Sequence, residues 1–323
     1  MLALKDTFRK EPLPLLLVRD ELRRSATPGQ HAISVGVFDG VHGGHRMLIR
    51  RMLDEGRARG LTGGVVTFHP HPITVLRPGT PVAYLESLER RVELIKDVGA
   101  EFVSVLPFTS ELQQVSASDF TRLLVEDAGM RLLVVGEDFR LGRGGEGTTD
   151  VLATIGEEQG FEVIPVPLLH DDQASERVSS TRIRNALAEG EMEEVTLLLG
   201  RPYSVRGPVL HGDERGRTIG FPTLNIGVSA DRALPPNGVY VTRAYLGDRS
   251  FEAVTNIGTR PTFDNGTRRH VETHLFDFEG DLYGQVVSIE LLSRLRFEQK
   301  FDGIEPLVAQ IRADVEATRA WFA

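Results

Sequence analysis

The chain has 323 residues and changes its periodicity once, and that change limits its fold more than any single motif does. From Ile33 onward, short apolar runs alternate with helical patterns. Ile33 to Phe38 reads as a strand followed by a helix from Arg46 to Ala58, and Gly64 to Phe68 as a strand followed by a helix from Ser87 to Asp97. Next come a strand Phe102 to Leu106, a helix Ser116 to Asp127 capped by Ser116, a strand Leu132 to Val135, a helix Thr149 to Gln159 and a strand Phe161 to Val166. Such alternation predicts right-handed crossovers and a parallel sheet covered on both faces, with ligands beyond the carboxyl ends of its strands. A glutamate-rich helical stretch, Ala186 to Leu199, stops at Gly200-Arg201-Pro202, and the alternation ends there. Tyr203 to Leu210, Gly238 to Leu246, Phe251 to Ile257, His270 to Phe276 and Gln285 to Leu292 then follow one another across Gly, Asp and Asn turns. Strands in succession without a long helix predict an antiparallel barrel. Leu307, Ile311, Val315 and Phe322 at helical spacing predict a last helix, Ile304 to Phe322, packed on the barrel or plugging one end.

Two cores of this kind fit the length. The net charge of −9 argues against nonspecific nucleic-acid binding, which needs a basic footprint, but leaves room for a local basic pocket. The absence of cysteine removes disulfides, thiolate chemistry and cysteine-ligated metals. Charges come early, at Lys5, Asp6, Arg9, Lys10 and Glu11, and the apolar run Leu13 to Val18 is too short for a signal core or a membrane span. The expectation is a cytoplasmic protein with no membrane partner; oligomeric state is not predicted.

Four stretches of the first half carry chemistry. In Ser34 to Arg46 (SVGVFDGVHGGHR) a strand breaks at Asp39-Gly40 and a helix begins a few residues later, with His42 and His45 between and at its start. A helix N-terminus presents unpaired N–H groups and a positive dipole end, a ready phosphate site to which two imidazoles add donors. From the residues alone, surface histidines or metal ligands are equally open. Thr67-Phe68-His69-Pro70-His71-Pro72 closes the second strand, where Phe68 is either a stacking platform or part of a rigid loop. Val134 to Gly142 ends the fourth strand with Glu137 and Asp138. Ser179-Ser180-Thr181-Arg182-Ile183-Arg184 opens a helix with hydroxyls and arginines that suit phosphate or serve as ordinary caps. Gly142 to Gly147 matches GxGxxG literally, but it belongs to a late strand–helix unit and stands residues away from its strand; it reads as a mobile loop.

The second half has a loop of its own, His211 to Arg217, followed by Thr218-Ile219-Gly220-Phe221-Pro222-Thr223-Leu224-Asn225. Glycines such as Gly216 and Gly220 let backbone N–H groups converge on an anion, and Thr223 and Asn225 point to one side of an extended segment, a hydroxyl and an amide suited to Mg²⁺. A plain hairpin fits the same residues. No Walker GxxxxGK[ST] is present.

GVFDGVHGGH, TFHPHP, VVGEDFRLG and SSTRIR, in that order, closely resemble the pattern of the prokaryotic bifunctional riboflavin kinase/FAD synthetases, from Ile33 to Leu187. GRTIGFPTLN resembles the riboflavin kinase signature GRxxGFPTxN, and the resemblance runs on through Gly238-Val239-Tyr240, Asn256-Ile257-Gly258, Arg260-Pro261-Thr262-Phe263, HVETH, DLYG and Leu295 to Phe301. It implies a Rossmann-like HxGH nucleotidyltransferase domain at residues 1–187 and a riboflavin kinase barrel at 188–323. By resemblance His42 and His45 contact the ATP phosphates, Gly36, Phe38 and Asp39 line the nucleotide, and Ser180, Thr181 and Arg184 close on it. Phe68 and Asp138 shape the flavin and adenine sites, although His69 and Asp138 stand where acidic and amide residues are the expected pattern. Thr223 and Asn225 meet the Mg²⁺–nucleotide, Gly216 and Gly220 belong to its loop, Glu272 is the general base, and Arg296 and Phe301 belong to a flap near the flavin. Without the resemblance Glu272 reads as a solvated strand carboxylate. The implied substrates are riboflavin, FMN and ATP, and the products FMN and FAD. Two other readings stay open: an adenylyltransferase for another phosphate ester with the barrel as a flavin sensor, and a tRNA-synthetase-like protein, which the acidic charge and the scarcity of lysine oppose.

Overall fold

The computed structural model describes residues 13–171, 176–212, 216, 219–261 and 267–323. Two compact units result: Met1–Val82 with Ser87–Arg177, and Ala83–Glu86 with Val178–Ala323.

The first unit is built on a five-stranded sheet of β1 (His31–Val35), β2 (Thr62–His69), β3 (Phe102–Pro107), β4 (Met130–Gly136) and β5 (Glu162–Val166), in the order β3-β2-β1-β4-β5. Every neighbouring pair is parallel, as the alternating pattern requires. β1 is buried along its whole length because its faces serve two cores. Ala32 packs with Ile49 and Met52 of α2 (Gly43–Ala58), whereas Ile33 and Val35 pack with Phe120 and Leu124 of α6 (Ala117–Asp127). Each such aliphatic side chain contributes on the order of 1.5–3 kcal/mol by leaving water. Ser87 caps α4 (Leu88–Val98), Ser116 caps α6 and Thr148 caps α7 (Thr149–Gln159), each accepting a backbone N–H three residues on. β2 starts Thr-Gly-Gly, and Gly64 is required there: a Cβ would stand 2.0 Å from the ring of Phe102.

One element was not legible in the pattern. Leu13–Ser25 forms α1, which buries Val18 and Leu22 and ion-pairs through Arg19 and Arg23 with the buried carboxylate of Asp127, at 2.7 and 2.6 Å. The short apolar run at its start therefore belongs to a surface helix that buries Val18 and leaves Leu16 and Leu17 exposed. Short helices α3 (Pro72–Leu76) and α5 (Ser110–Gln113) complete this unit. Among the described residues no helix is long and apolar enough to cross a membrane.

The second unit begins with two helices where the sequence predicted one stretch. α8 (Ser180–Glu189) ends at Gly190 in the left-handed conformation, φ 75°, and α9 (Met192–Leu199) ends likewise at Gly200, φ 68°. Six strands then close a barrel in the order β10-β7-β6-β11-β8-β9, made of β6 (Tyr203–Leu210), β7 (Leu224–Ile226), β8 (Gly238–Leu246), β9 (Arg249–Pro261), β10 (Thr267–Leu275) and β11 (Val286–Phe297). β7 is only three residues long, too short to show as a period. β11 runs five residues past the predicted Leu292 by way of register shifts after Leu291 and Arg294. Inside the barrel Thr242, Thr255 and Thr273 form a hydrogen-bonded chain, 2.8 and 2.9 Å apart, which satisfies three fully buried hydroxyls at once. The last helix, α10 (Ile304–Phe322), packs Val315 against Val239, Val254 and Phe276 on the barrel's outer face, one of the two expected positions.

Residues 83–86 belong to this unit because they pair with it. Tyr84 donates its N–H to Asp231 O at 2.8 Å, and Ala233 returns one to Tyr84 O at 2.9 Å. The carboxylate of Glu86, 3% exposed, accepts from Arg201 at 2.7 Å and Arg232 at 2.9 Å. Replacing Glu86 by Ala leaves two largely buried guanidinium groups without this carboxylate and is expected to destabilise the second unit by ~3–5 kcal/mol. Chemical denaturation followed by a probe in the barrel measures it, with Glu86→Gln losing less.

Candidate active sites

The first site lies where the sheet order reverses. β1 runs between β2 and β4, and its chain leaves toward one side while β4 serves the other, so a crevice opens beyond their carboxyl ends. The turn after β1 is unusual. Phe38 and Val41 have φ of 54° and 41°, and Gly40 has 85°. Side-chain-bearing residues in this region cost about 1–3 kcal/mol each and persist only when their surroundings hold them. Phe38 is buried, Asp39 is 1% exposed, and the Val37 carbonyl accepts both from Thr67 Oγ1 at 2.9 Å and from Arg91 Nη1 at 2.8 Å. Gly36 admits the Phe38 ring, which would lie 3.1 Å from a Cβ there.

This turn delivers both histidines of the motif to one place. His42 is the N-cap of α2: its Nδ1 accepts from the His45 N–H at 3.3 Å, which assigns the proton of a neutral ring to Nε2. The His45 ring stacks on it at 3.6 Å and 18°, with Phe38 edge-on at 5.1 Å. His45 Nδ1 is buried and has no hydrogen-bond partner among the described residues. Although some of the residue remains exposed, removal of the ring from water holds the His45 pKa well below its usual value, and the neighbouring charges of His42, Arg177 and Arg91 push the same way. Imidazole N–H groups, a helix N-terminus and two arginines favour an anion.

Beside the turn an apolar cavity of about 610 Å³ is lined by Gly36, Phe68, Phe108, Phe120 and Phe139, with Arg140 among its polar groups. Phe68, expected as a stacking platform, lies in its wall and meets Phe108 edge-on at 5.5 Å. Asp138 is exposed and paired with Arg177 at 2.5 Å. His69 is exposed, while His71 caps α3. The Gly142 to Gly147 loop is closed by paired hydrogen bonds between Leu141 and Gly147, 3.1 and 2.8 Å. Ser180, Thr181 and Arg184 lie in the first turns of α8, in the second compact unit; Ser179 is its cap, and Arg184 donates to Ala83 O at 2.8 Å.

The second site is on the barrel. Val271 and Thr273 point inward and are fully buried, so Glu272 between them faces outward. Directly opposite it stand Asn225 on β7 and Asn256 on β9, which places two amides beside one carboxylate. His270, two residues away on the same face, approaches Glu272 at 4.0 Å. Thr223 lines a cavity of about 290 Å³ with Pro222, Phe278, Asp281 and Tyr283, the last stacked on His211 at 3.8 Å. Gly212 and Gly216 leave room here: a Cβ on Gly212 would stand 2.2 Å from Asn225 Nδ2, and one on Gly216 2.3 Å from Phe221 O and 3.4 Å from Thr223 Oγ1. Gly220 turns the chain with φ 87°. Residues Asp213, Glu214, Arg215, Arg217 and Thr218 of the expected phosphate loop lie outside the described residues, as do Thr262 and Phe263. Arg296 makes a bidentate pair with Asp314 of α10, 2.9 and 2.7 Å, and its guanidinium lies 5.9 Å from the Phe301 ring.

Sequence reasoning missed Arg91 and Arg177. A signal existed for Arg91: it stands three and four residues before Leu94 and Ile95, on the buried face of α4, where an apolar residue is expected.

A family model described as FAD synthetase matches residues 24–182, and one described as riboflavin kinase matches residues 199–322. The bifunctional riboflavin kinase/FMN adenylyltransferase of Listeria monocytogenes is 37% identical over 90% of this chain and 92% of its own. The protein of the same description from Escherichia coli K12 is 36% identical over 95% and 97%. A crystal structure described as a macrolide-efflux protein from Streptococcus pneumoniae superposes with a TM-score of 0.85 at 34% identity, covering 93% of this chain and 97% of that one.

The lowered His45 pKa has a thermodynamic consequence. Between its ordinary value near 6.5 and the lower folded value, the folded state binds fewer protons than the unfolded state, so stability falls as the pH falls. One such group gives at most ~1.4 kcal/mol per pH unit. Urea midpoints of the first unit between pH 7.5 and 5.5 are expected to decrease, and His45→Asn to flatten that slope.

Proposed function

The chain belongs to the bifunctional riboflavin kinase/FMN adenylyltransferases, and from that membership we propose which of its residues perform each reaction. It phosphorylates riboflavin to FMN with ATP through its C-terminal part, and adenylylates FMN to FAD with release of pyrophosphate through its N-terminal part.

For adenylyl transfer the supporting observation is the stacked pair of His42 and His45 at the N-terminus of α2. The FMN phosphate is already an anionic nucleophile, so its oxygen attacks the α-phosphorus of ATP without a protein base, and pyrophosphate departs. What the site must supply is alignment and positive potential for charge gathering on the phosphate oxygens. His42 offers Nε2–H, α2 its first N–H groups, and Arg91 and Arg177 a positive surround that opposes protonation of His45. The cavity walled by Phe68, Phe108, Phe120 and Phe139 has the size and apolar character for the isoalloxazine ring. Gly36, Phe38 and Asp39 shape the turn. For Ser180, Thr181 and Arg184 as phosphate ligands the support is their motif at the start of α8, and for Asp138 its place at the end of β4.

For phosphoryl transfer Glu272 is the base. It takes the proton of the terminal ribityl hydroxyl, whose oxygen attacks the γ-phosphorus of ATP, and ADP leaves. Asn225 and Asn256 flank the carboxylate and can hold it toward the hydroxyl. The cavity beside Thr223 suits the nucleotide, with Tyr283 in its wall, and for Gly216 and Gly220 as part of a phosphate loop the support is their motif. The donors there also fit magnesium: a hydroxyl on Thr223 and an amide oxygen on Asn225, next to glycines that keep the approach open. Two protein oxygens leave the other positions to water and phosphate, the habit of Mg²⁺ on nucleotides. When bound, the ion neutralises charge on the phosphates. Arg296, tied to Asp314, is assigned to the wall near the flavin.

Purified full-length chain with riboflavin and magnesium-ATP is expected to yield FMN and ADP, then FAD and pyrophosphate. Glu272→Gln is expected to cut FMN formation by ~10²–10⁴ and to leave FAD formation from supplied FMN unchanged. His45→Ala is expected to cut FAD formation by ~10²–10³ while FMN accumulates from riboflavin. Loss of both activities in either variant would contradict the assignment.

A further inference from the structure

Arg91 is a charged residue at a core position. It lies on the inner face of α4 with Leu94 and Ile95 and is 1% exposed. Apolar residues of similar volume usually serve such a position at least as well, so a retained guanidinium asks for a task. Its Nη1 donates to the Val37 carbonyl at 2.8 Å, and Thr67 Oγ1 donates to the same oxygen at 2.9 Å. Val37 is the residue immediately before the strained turn, in which Phe38, Gly40 and Val41 all have positive φ. The turn is closed by the Val41 N–H on Phe38 O at 3.1 Å and runs directly into His42, the cap of α2. A turn of this kind relaxes unless both ends are held. His42 and α2 hold one end; the doubly bonded Val37 carbonyl holds the other.

We propose that Arg91 is a positioning residue for adenylyl transfer, its buried guanidinium fixing through the Val37 carbonyl the turn that aims His42 and His45. This rests on the assignment of those histidines to the adenylyl step. Arg91 has a second effect through its charge. The charged groups that act most strongly on His45 are His42 from the α2 cap, Arg177 from the segment after β5 and Arg91 from α4, all of them basic. Removing Arg91 takes away one source of positive potential and makes the ring easier to protonate.

Three full-length variants test this: Arg91→Met, Arg91→Lys and Thr67→Val. FAD formation from supplied FMN is read as kcat/KM across pH 5 to 8, and FMN formation from riboflavin in the same preparations reports on the other activity. Arg91→Met is expected to lower kcat/KM for FAD formation by about 100-fold, the scale of a small misplacement of reacting groups. Arg91→Lys is expected to recover about tenfold of that, since the charge returns without the planar fork. Thr67→Val is expected to cost about tenfold, because the carbonyl loses its other donor. The acid limb of the profile moves to higher pH in Arg91→Met but stays in place in Thr67→Val, which removes no charge; a purely structural role for Arg91 would not separate the two. The proposal is overturned if Arg91→Met stays within about threefold of the native enzyme. It is equally overturned if Arg91→Met loses activity only through unfolding while Arg91→Lys and Thr67→Val behave as native. Should His45→Ala itself make FAD normally, the histidine assignment fails first, and this inference with it.

Discussion

Each group proposed to take part in a reaction is carried on, or just beyond, a strand that is hydrogen-bonded along both of its edges. β1 pairs with β2 on one side and β4 on the other, and its last residue, Val35, stands two positions before the Val37 carbonyl. β10 pairs with β7 and β9, and Glu272 sits in the middle of both ladders. A one-residue slip of such a strand would turn every side chain to the opposite face and break both ladders, so the strands that carry these groups are held in register by backbone bonds on both sides. This matters because catalysis by alignment tolerates little error: about 1 Å of misplacement is worth a factor of ~10².

The two units give different environments to the groups they hold, and the difference follows the chemistry. In the first, the His42–His45 pair is stacked, largely removed from water and surrounded by positive charge, so His45 stays neutral where an ordinary histidine would titrate. In the second, Glu272 keeps partial access to solvent and faces amides. A phosphate nucleophile arrives ionised and needs only a place to react. A hydroxyl arrives protonated and needs a base nearby. A neutral His45 suits the proposed first case and an available carboxylate the proposed second.

Much of this was readable in the chain because the motifs sit at the ends of elements whose periods are strong. Strict strand–helix alternation up to Val166 gave the parallel sheet, and the run of strands after Gly200 gave the barrel. His42 and His45 stood out as a short glycine turn before a helix, whereas Glu272 stood out only through the resemblance, since on its strand alone it reads as a solvated carboxylate. What stayed hidden had no local signature. α1 was masked by mixed charge, because its stabilising contacts are with Asp127, about a hundred residues away. β7 has three residues, below the length at which a period of two can be seen. The break at Gly190 was missed because a glycine inside a helical pattern is tolerated as often as it terminates one. Membership of Ala83–Glu86 in the second unit depends on Arg201 and Arg232, whose partners no local pattern names.

Val41 and Phe38 in the left-handed region are expensive, and β-branched Val41 especially so. A relaxed turn would be more stable locally, yet it would swing His42 off the α2 cap and part the stacked rings. The cost is offset by contacts outside the turn: Phe38 buried against Gly36 and the His45 ring, and Val37 O bonded to Thr67 and Arg91. The same contacts that bear the strain therefore set the geometry of the proposed phosphate site, and under that proposal a substitution among them acts on stability and on FAD synthesis through one displacement of the backbone.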